Sequence, residues 1–262
     1  RDSMASELKP FAIEDCSRIL AEMAVYFSQQ GIFVDLGGNA DLNNAGVDGT
    51  ESAHEISLEQ FFISPESSAP AFFLNINGVG DVETCLERLS EDLDALHRVI
   101  ADYAEQNSFE EEIRKKVTLI NTHVTRAKGI LSSRAKKLMA SCREKNSVEE
   151  QRREAASILG KVFKERIMDG AMAPIYTERK SAYSFVLRKL NEFLAKWGVQ
   201  TLALNVGDFM DYELPCEILP GSEEGSAEQH DKIREIHRFP YVWHEERKDK
   251  LPLWDGLVSV WR

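Results

Sequence analysis

Between Phe109 and Cys142 the apolar residues are Phe109, Ile113, Val117, Ile120, Val124, Ala127, Leu131, Ala135, Leu138 and Cys142. Successive gaps of three or four residues place them on one narrow stripe of a single long helix, with charge on its other faces. We assign Val117, Ile120, Val124, Ala127, Leu131 and Leu138 as a coiled-coil seam. An apolar stripe of that length needs a covering helix, so the expectation is a homodimer paired along it. Ser108 and Glu111 stand at capping-box spacing ahead of the stripe, and Ser147 and Glu150 repeat that spacing behind it. The second pair either opens a new helix, from Val148 to about Met168, or dents one continuous rod. Such a rod would hold about 60 residues and run roughly 90 Å.

The same kind of reading divides the rest of the chain. A helical stripe over Pro10–Gln30 is closed by Gly31, and a Gly-, Asn- and Asp-rich loop follows to Ser57. Phe72–Ile76 reads as a strand, and Asp81 as the cap of a helix ending near Gln106. Asp169, Gly170 and Pro174 predict a break, before a last helix from about Ile175 to Trp197. After Gly198 the pattern turns strand-like, over Val199–Val206, Glu213–Leu219, Ile233–Phe239, Tyr241–Trp243 and Leu257–Trp261. Pro240, Pro252 and Asp255-Gly256 separate the later strands, and an acidic loop fills Pro220–Asp231. The fold class is α+β, mainly α, with long coiled-coil-type helices before a small terminal β domain. Three regions result: 1–108, an α/β region of unknown role; 109–198, the long helices; and 199–262, the β domain.

Charge changes this picture in one place. The formal net charge is −12, yet residues 109–145 are strongly basic. The basic helix, Arg114 to Lys145, allows a nucleic-acid-binding reading. The acidic whole and the absence of stacking aromatics between Glu110 and Lys145 argue against it. No apolar run is long enough to span a bilayer, so no membrane partner is expected. Cys16, Cys85, Cys142 and Cys216 are scattered, as in a cytoplasmic protein with reduced thiols.

Candidate chemistry is sparse. Gly78 and Gly80 follow a predicted strand, but Glu83 fills the third position of a phosphate-binding turn. Asp41, Asn43 and Gly46 fit part of a calcium loop, whose terminal carboxylate position is Ser52. His230, His237 and His244 are spaced seven apart, but Pro240 prevents one helix face from presenting them together. No nucleophile elbow or acid–base pair stands out. These residues nominate no enzyme, metal or cofactor.

The order of elements resembles GrpE, the nucleotide exchange factor of DnaK-type chaperones. In that family the last helix ends in aromatic-Gly-Val before a strand, as Trp197-Gly198-Val199 does here. The family then has a glycine just before Phe-Asp, and a Leu-His-Glu shortly after. Gly207, Phe209, Asp211, Leu214 and Glu217 look like those positions, and Gly256, Val258 and Val260 echo a later family strand. Met210 separates Phe209 from Asp211, Pro215 and Cys216 replace the histidine, and the acidic loop is longer than the family's. The likeness covers about residues 112–262.

The resemblance implies a homodimer whose β domain is a wedge against the ATPase domain of a DnaK-type chaperone, promoting nucleotide release. It nominates Gly207, Phe209, Asp211, Glu217 and Gly256 as partner-binding, and a buried Phe209 ring would make its loss destabilise the wedge. A coiled-coil scaffold carrying a β interaction module is the alternative of a different kind.

Overall fold

Helix α1 (Val79–Gln106) buries Val82, Leu86, Leu89, Leu93, Leu96 and Ile100 on one face. The structure, a computed structural model, describes residues 55–220, 224–244 and 251–262. The predicted helix Pro10–Gln30 and most of the loop after it lie outside these residues. Gly78 precedes α1, and Asp81, expected as the cap, reaches back from within the first turn to accept the Asn77 N–H at 2.8 Å.

Helix α2 (Glu111–Glu144) begins after Glu110 with no side-chain cap, so the predicted Ser108 capping box does not form. The second capping signal does form. Ser147 Oγ accepts the Glu150 N–H at 3.2 Å and opens α3 (Val148–Val162). The chain therefore folds back between α2 and α3 and makes no continuous rod.

Helix α2 lies between two antiparallel neighbours. On one side Lys128 meets Asp94 of α1 at 2.6 Å, and His97 Nδ1 lies 3.0 Å from the Asn121 side-chain oxygen. On the other, Arg134 faces Glu165 at 3.6 Å in the segment that continues α3. Val117, Ile120, Val124, Ala127, Leu131 and Leu138 are each 2% exposed or less within the single chain. The seam assigned to a dimer is thus covered by the chain's own helices. Periodicity specifies that a helix must cover the stripe, without specifying which chain supplies it.

The predicted break at Asp169 and Gly170 is also absent. The helix passes through them as a π-helical segment, Phe163–Met172, into α4 (Ala173–Glu178). A Cβ at Gly170 would stand 2.5 Å from His123 Nδ1, so the glycine makes room for that ring. The chain does break at Arg179, where φ is 47°, before α5 (Ser184–Lys196). The predicted last helix is therefore two. Of the predicted strand Phe72–Ile76, Phe72–Asn75 is a 3-10 turn that buries both Phe72 and Phe73 in one core.

The strands are β1 (Val199–Thr201), β2 (Cys216–Ile218) and β3 (Ile233–Arg238). They continue with β4 (Tyr241–Trp243), β5 (Leu251–Trp254) and β6 (Gly256–Val260). One antiparallel sheet has the order β1-β4-β5, and a mixed sheet has the order β2-β6-β3. Strand β5 was missed because Pro252 reads as a separator; at a sheet edge a proline is tolerated.

The first sheet joins the helical core directly. Trp243 makes edge contacts with Phe72, Phe73 and Phe163 at centroid distances of 5.4, 5.6 and 5.5 Å. Gly198, at φ 84°, lies so close to Ala71 that a Cβ would come within 2.4 Å of its Cα. One hydrophobic core runs from Ile56 to Val258. The boundaries predicted at 108 and 198 fall inside the compact unit Ser52–Arg262.

Two outcomes follow from this packing. Val124 has no exposed surface, so Val124→Asp should unfold the chain by leaving a carboxylate unpaired in the core. Circular dichroism with sedimentation checks it: release of a folded monomer from a dimer would contradict the packing described.

His123 has an unpartnered Nδ1 among the described residues, and burial, then Arg166 and Arg126, hold its pKa below the ordinary 6.5. The unfolded chain then takes up the proton more readily. The site's stability is complete above pH 6.5 and is lost as pH falls through the depressed folded value. Urea titrations at about pH 7 and about pH 5 should show a smaller pH dependence in His123→Gln than in the parent.

Candidate functional site

The chain between β1 and β2 alternates anchored and outward residues. Leu204 and Met210 are buried at 8% and 6% exposure, while Val206, Phe209 and Tyr212 stand 63–69% exposed. Among the described residues, Leu119 is the only other large hydrophobic residue exposed to a comparable degree. Gly207 has φ 92°, and a Cβ there would meet nothing within 4 Å. Its requirement is conformational, the left-handed turn that swings Phe209 outward.

Backbone bonds hold this loop against the start of β3. The Gly207 N–H donates to the Ile233 carbonyl, the Ile233 N–H to the Asp208 carbonyl, and the Met210 N–H to the Asp231 carbonyl, at 2.8, 2.8 and 2.9 Å. Side chains reinforce the ladder. Lys232 Nζ lies 5.2 Å from the Phe209 ring centroid, a cation–π contact. The Tyr212 hydroxyl donates to Asp231 Oδ1 at 3.0 Å, and that bond raises the phenol's pKa. Asn205 Nδ2 donates to Asp208 at 3.0 Å, and Asp211 accepts the Glu213 N–H at 2.9 Å. The product is an exposed apolar surface in an acidic rim, on a preorganised backbone.

Three of the five predicted partner-binding residues, Gly207, Phe209 and Asp211, share this loop. Glu217 is exposed on β2. Gly256 is different: it is buried, and a Cβ there would lie 2.8 Å from Cys216 Sγ and from Pro240. It is a packing glycine and offers no contact surface. Phe209 is exposed, so the condition of a buried ring is not met. Sequence reasoning missed Val206, Tyr212 and Asp231. Val206 reads as the end of a strand, and Tyr212 carries a signal as an aromatic residue among Asp and Gly.

The other candidate groups are engaged structurally. An open groove of about 640 Å³ includes Cys85, Arg88 and Asp92. Burial pushes the Cys85 thiol up to about 12, so it is not a thiolate at neutral pH. Asp92 accepts from Trp197 Nε1 at 2.9 Å and pairs with Lys196 at 2.8 Å. His230 faces Asp231, His237 Ser259, and His244 Gln200. Among the described residues no three His, Cys, Asp or Glu side chains are grouped to hold a metal, and no helix is long and apolar enough to cross a membrane. No family model, curated protein or solved structure matches this chain.

Exposure of Phe209 reverses the stability effect expected of a core ring. Phe209→Ala should change unfolding free energy by no more than about 1 kcal/mol, against about 3–5 for a buried phenylalanine. Chemical denaturation decides between them.

Proposed function

We propose that this chain is a protein-binding module that presents the Val206–Tyr212 loop to a partner. The partner in this reading is the ATPase domain of a DnaK-type chaperone. The carrying observation is the exposure of three large hydrophobic side chains within seven residues of a backbone-braced loop. Water is a poor environment for such a patch, and burying one aromatic ring contributes roughly 1.5–3 kcal/mol. The acidic rim of Asp208, Asp211, Glu213 and Asp231 favours a partner surface with basic groups around an apolar cleft.

The resemblance supplies the chaperone. Three of the residues that carry it, Gly207, Phe209 and Asp211, lie in the exposed loop. A module that binds the open form of the ATPase domain more tightly shifts it toward that form, and nucleotide then leaves faster. No covalent step is involved. A cytoplasmic setting goes with this partner. The scaffold alternative loses its main support because the seam is already occupied. The nucleic-acid alternative is weakened because Lys116, Lys128 and Arg134 face Glu178, Asp94 and Glu165.

The test measures release of a labelled nucleotide from the chaperone's ATPase domain with and without this chain. The parent should accelerate release. Phe209→Ala combined with Tyr212→Ala should keep the far-ultraviolet spectrum and weaken binding roughly a hundredfold or more, as loss of two interface anchors does. An unchanged off-rate with saturating parent protein overturns the exchange-factor reading.

A further inference from the structure

A second surface, remote in character from the acidic loop, lies between α3 and the free edge of β5. It is an open groove of about 410 Å³. Along α3 and into the π segment, Arg153, Ser157, Gly160 and Lys164 follow at helical spacing, with Lys161 beside them. These positions form one stripe on one face. Its ends are cationic and its middle is small, so side chains do not fill the trough. The opposite wall is β5. Consecutive residues Leu251, Pro252 and Leu253 line it, so the groove follows the strand's edge and not one face of its sheet.

The floor is apolar. Trp243 is 2% exposed, and the benzo edge of its indole faces Gly160, where an added Cβ would be 3.3 Å from Cζ3. Arg153 makes only a long 3.9 Å contact with Glu149, while Lys161 and Lys164 have no ion-pair partner among the described residues. Among the described residues Asp255 is the one acidic side chain lining the groove, and its carbonyl, not its carboxylate, accepts the Arg238 Nε–H at 2.8 Å. Three cations against one carboxylate give the groove positive character in a chain of net charge −12.

The spacing of the cations selects the occupant. From Arg153 to Lys164 is eleven residues of helix, roughly 16 Å at 1.5 Å per residue. One phosphate or carboxylate cannot touch both ends of that distance. An extended peptide covers it with about five residues at 3.3 Å each. Pro252 offers no backbone N–H at the strand edge, so recognition rests on side chains and not on strand addition. We propose that the α3–β5 groove binds an extended acidic peptide segment of a partner protein, with carboxylates on Arg153, Lys161 and Lys164 and a central apolar residue over Leu253 and Trp243.

The proposal is independent of the chaperone reading, and its test uses no chaperone. Fluorescence anisotropy of the full chain is read with a labelled Glu-rich peptide of about ten residues carrying one central Leu. Binding should weaken with added salt. Lys161→Glu with Lys164→Glu should weaken it roughly tenfold or more. Lys136→Glu with Lys137→Glu, on the exposed side of α2, should leave it within about twofold. Ser157→Trp, which fills the exposed trough and keeps every charge, should block binding too. Equal binding of a Lys-rich peptide, indifference to the groove substitutions in folded protein, or full competition by inorganic phosphate would each overturn the proposal.

Discussion

The described part of this molecule is arranged around one aromatic joint. Phe72 contacts Trp243 and Trp197 edge-on, each at 5.4 Å, and stacks with Phe163 at 6.3 Å. Phe163 stacks in turn with Phe193 at 5.8 Å and meets Trp243 at 5.5 Å. Five rings thereby tie a 3-10 turn, the π segment, the end of α5 and the first sheet into one core. Aromatic side chains of this size remove more surface from water than any other residue, and their edge contacts add direction. The joint makes the β1-β4-β5 sheet a wall of the core. What remains outward on the β1–β2 connection is the Val206–Tyr212 loop.

The same joint fixes the register of the helices. The π segment starts at Phe163, and its altered pitch carries Gly170 to His123 and Asp169 to the Trp254 indole, whose Nε1 donates at 2.9 Å. Helix α2 is thereby held along its whole stripe, and three of its cations, Lys116, Lys128 and Arg134, are paired by neighbouring elements. Lys116 meets Glu178, whose carboxylate also accepts the Tyr183 hydroxyl at 2.9 Å and is held below its usual pKa, first by the lysine bond. Acidic groups from α1, α4 and the π segment thus answer the cations of α2 that face them, while Lys136 and Lys137 stay on its exposed side.

What could be read from the sequence was what local forces decide. Helix α1, the Ser147 cap and strands β3, β4 and β6 announce themselves through side-chain period, a hydroxyl at the right offset, or alternation. What could not be read depends on distant partners. The stripe from Val117 to Leu138 demanded a covering helix, but only folding shows that α1 and α3 provide it. Phe72 and Phe73 look like strand residues until both are needed in one aromatic joint. Asp169-Gly170 looks like a stop until a histidine from α2 occupies the space the glycine leaves. Whether the Phe209 ring was buried could not be read, because resemblance carries residue identity and not exposure. The α3–β5 groove left no linear signal, since its walls are about ninety residues apart and meet only through the sheet.

The two surfaces differ in sign, and their shapes keep them apart as well. An acidic loop with exposed rings and a cationic groove with an apolar floor would suit each other by charge alone. Such a contact between copies would be heterologous and open-ended, the geometry that builds fibres. The groove, however, needs about five residues in extended form. The loop turns at Gly207 and is bonded on both sides of Phe209, Asp208 to Ile233 of β3 and Met210 to Asp231 just before it. Straightening it would break those bonds and uncover Met210. The bracing that prepares the loop for a concave partner therefore also bars it from the groove of a neighbouring copy.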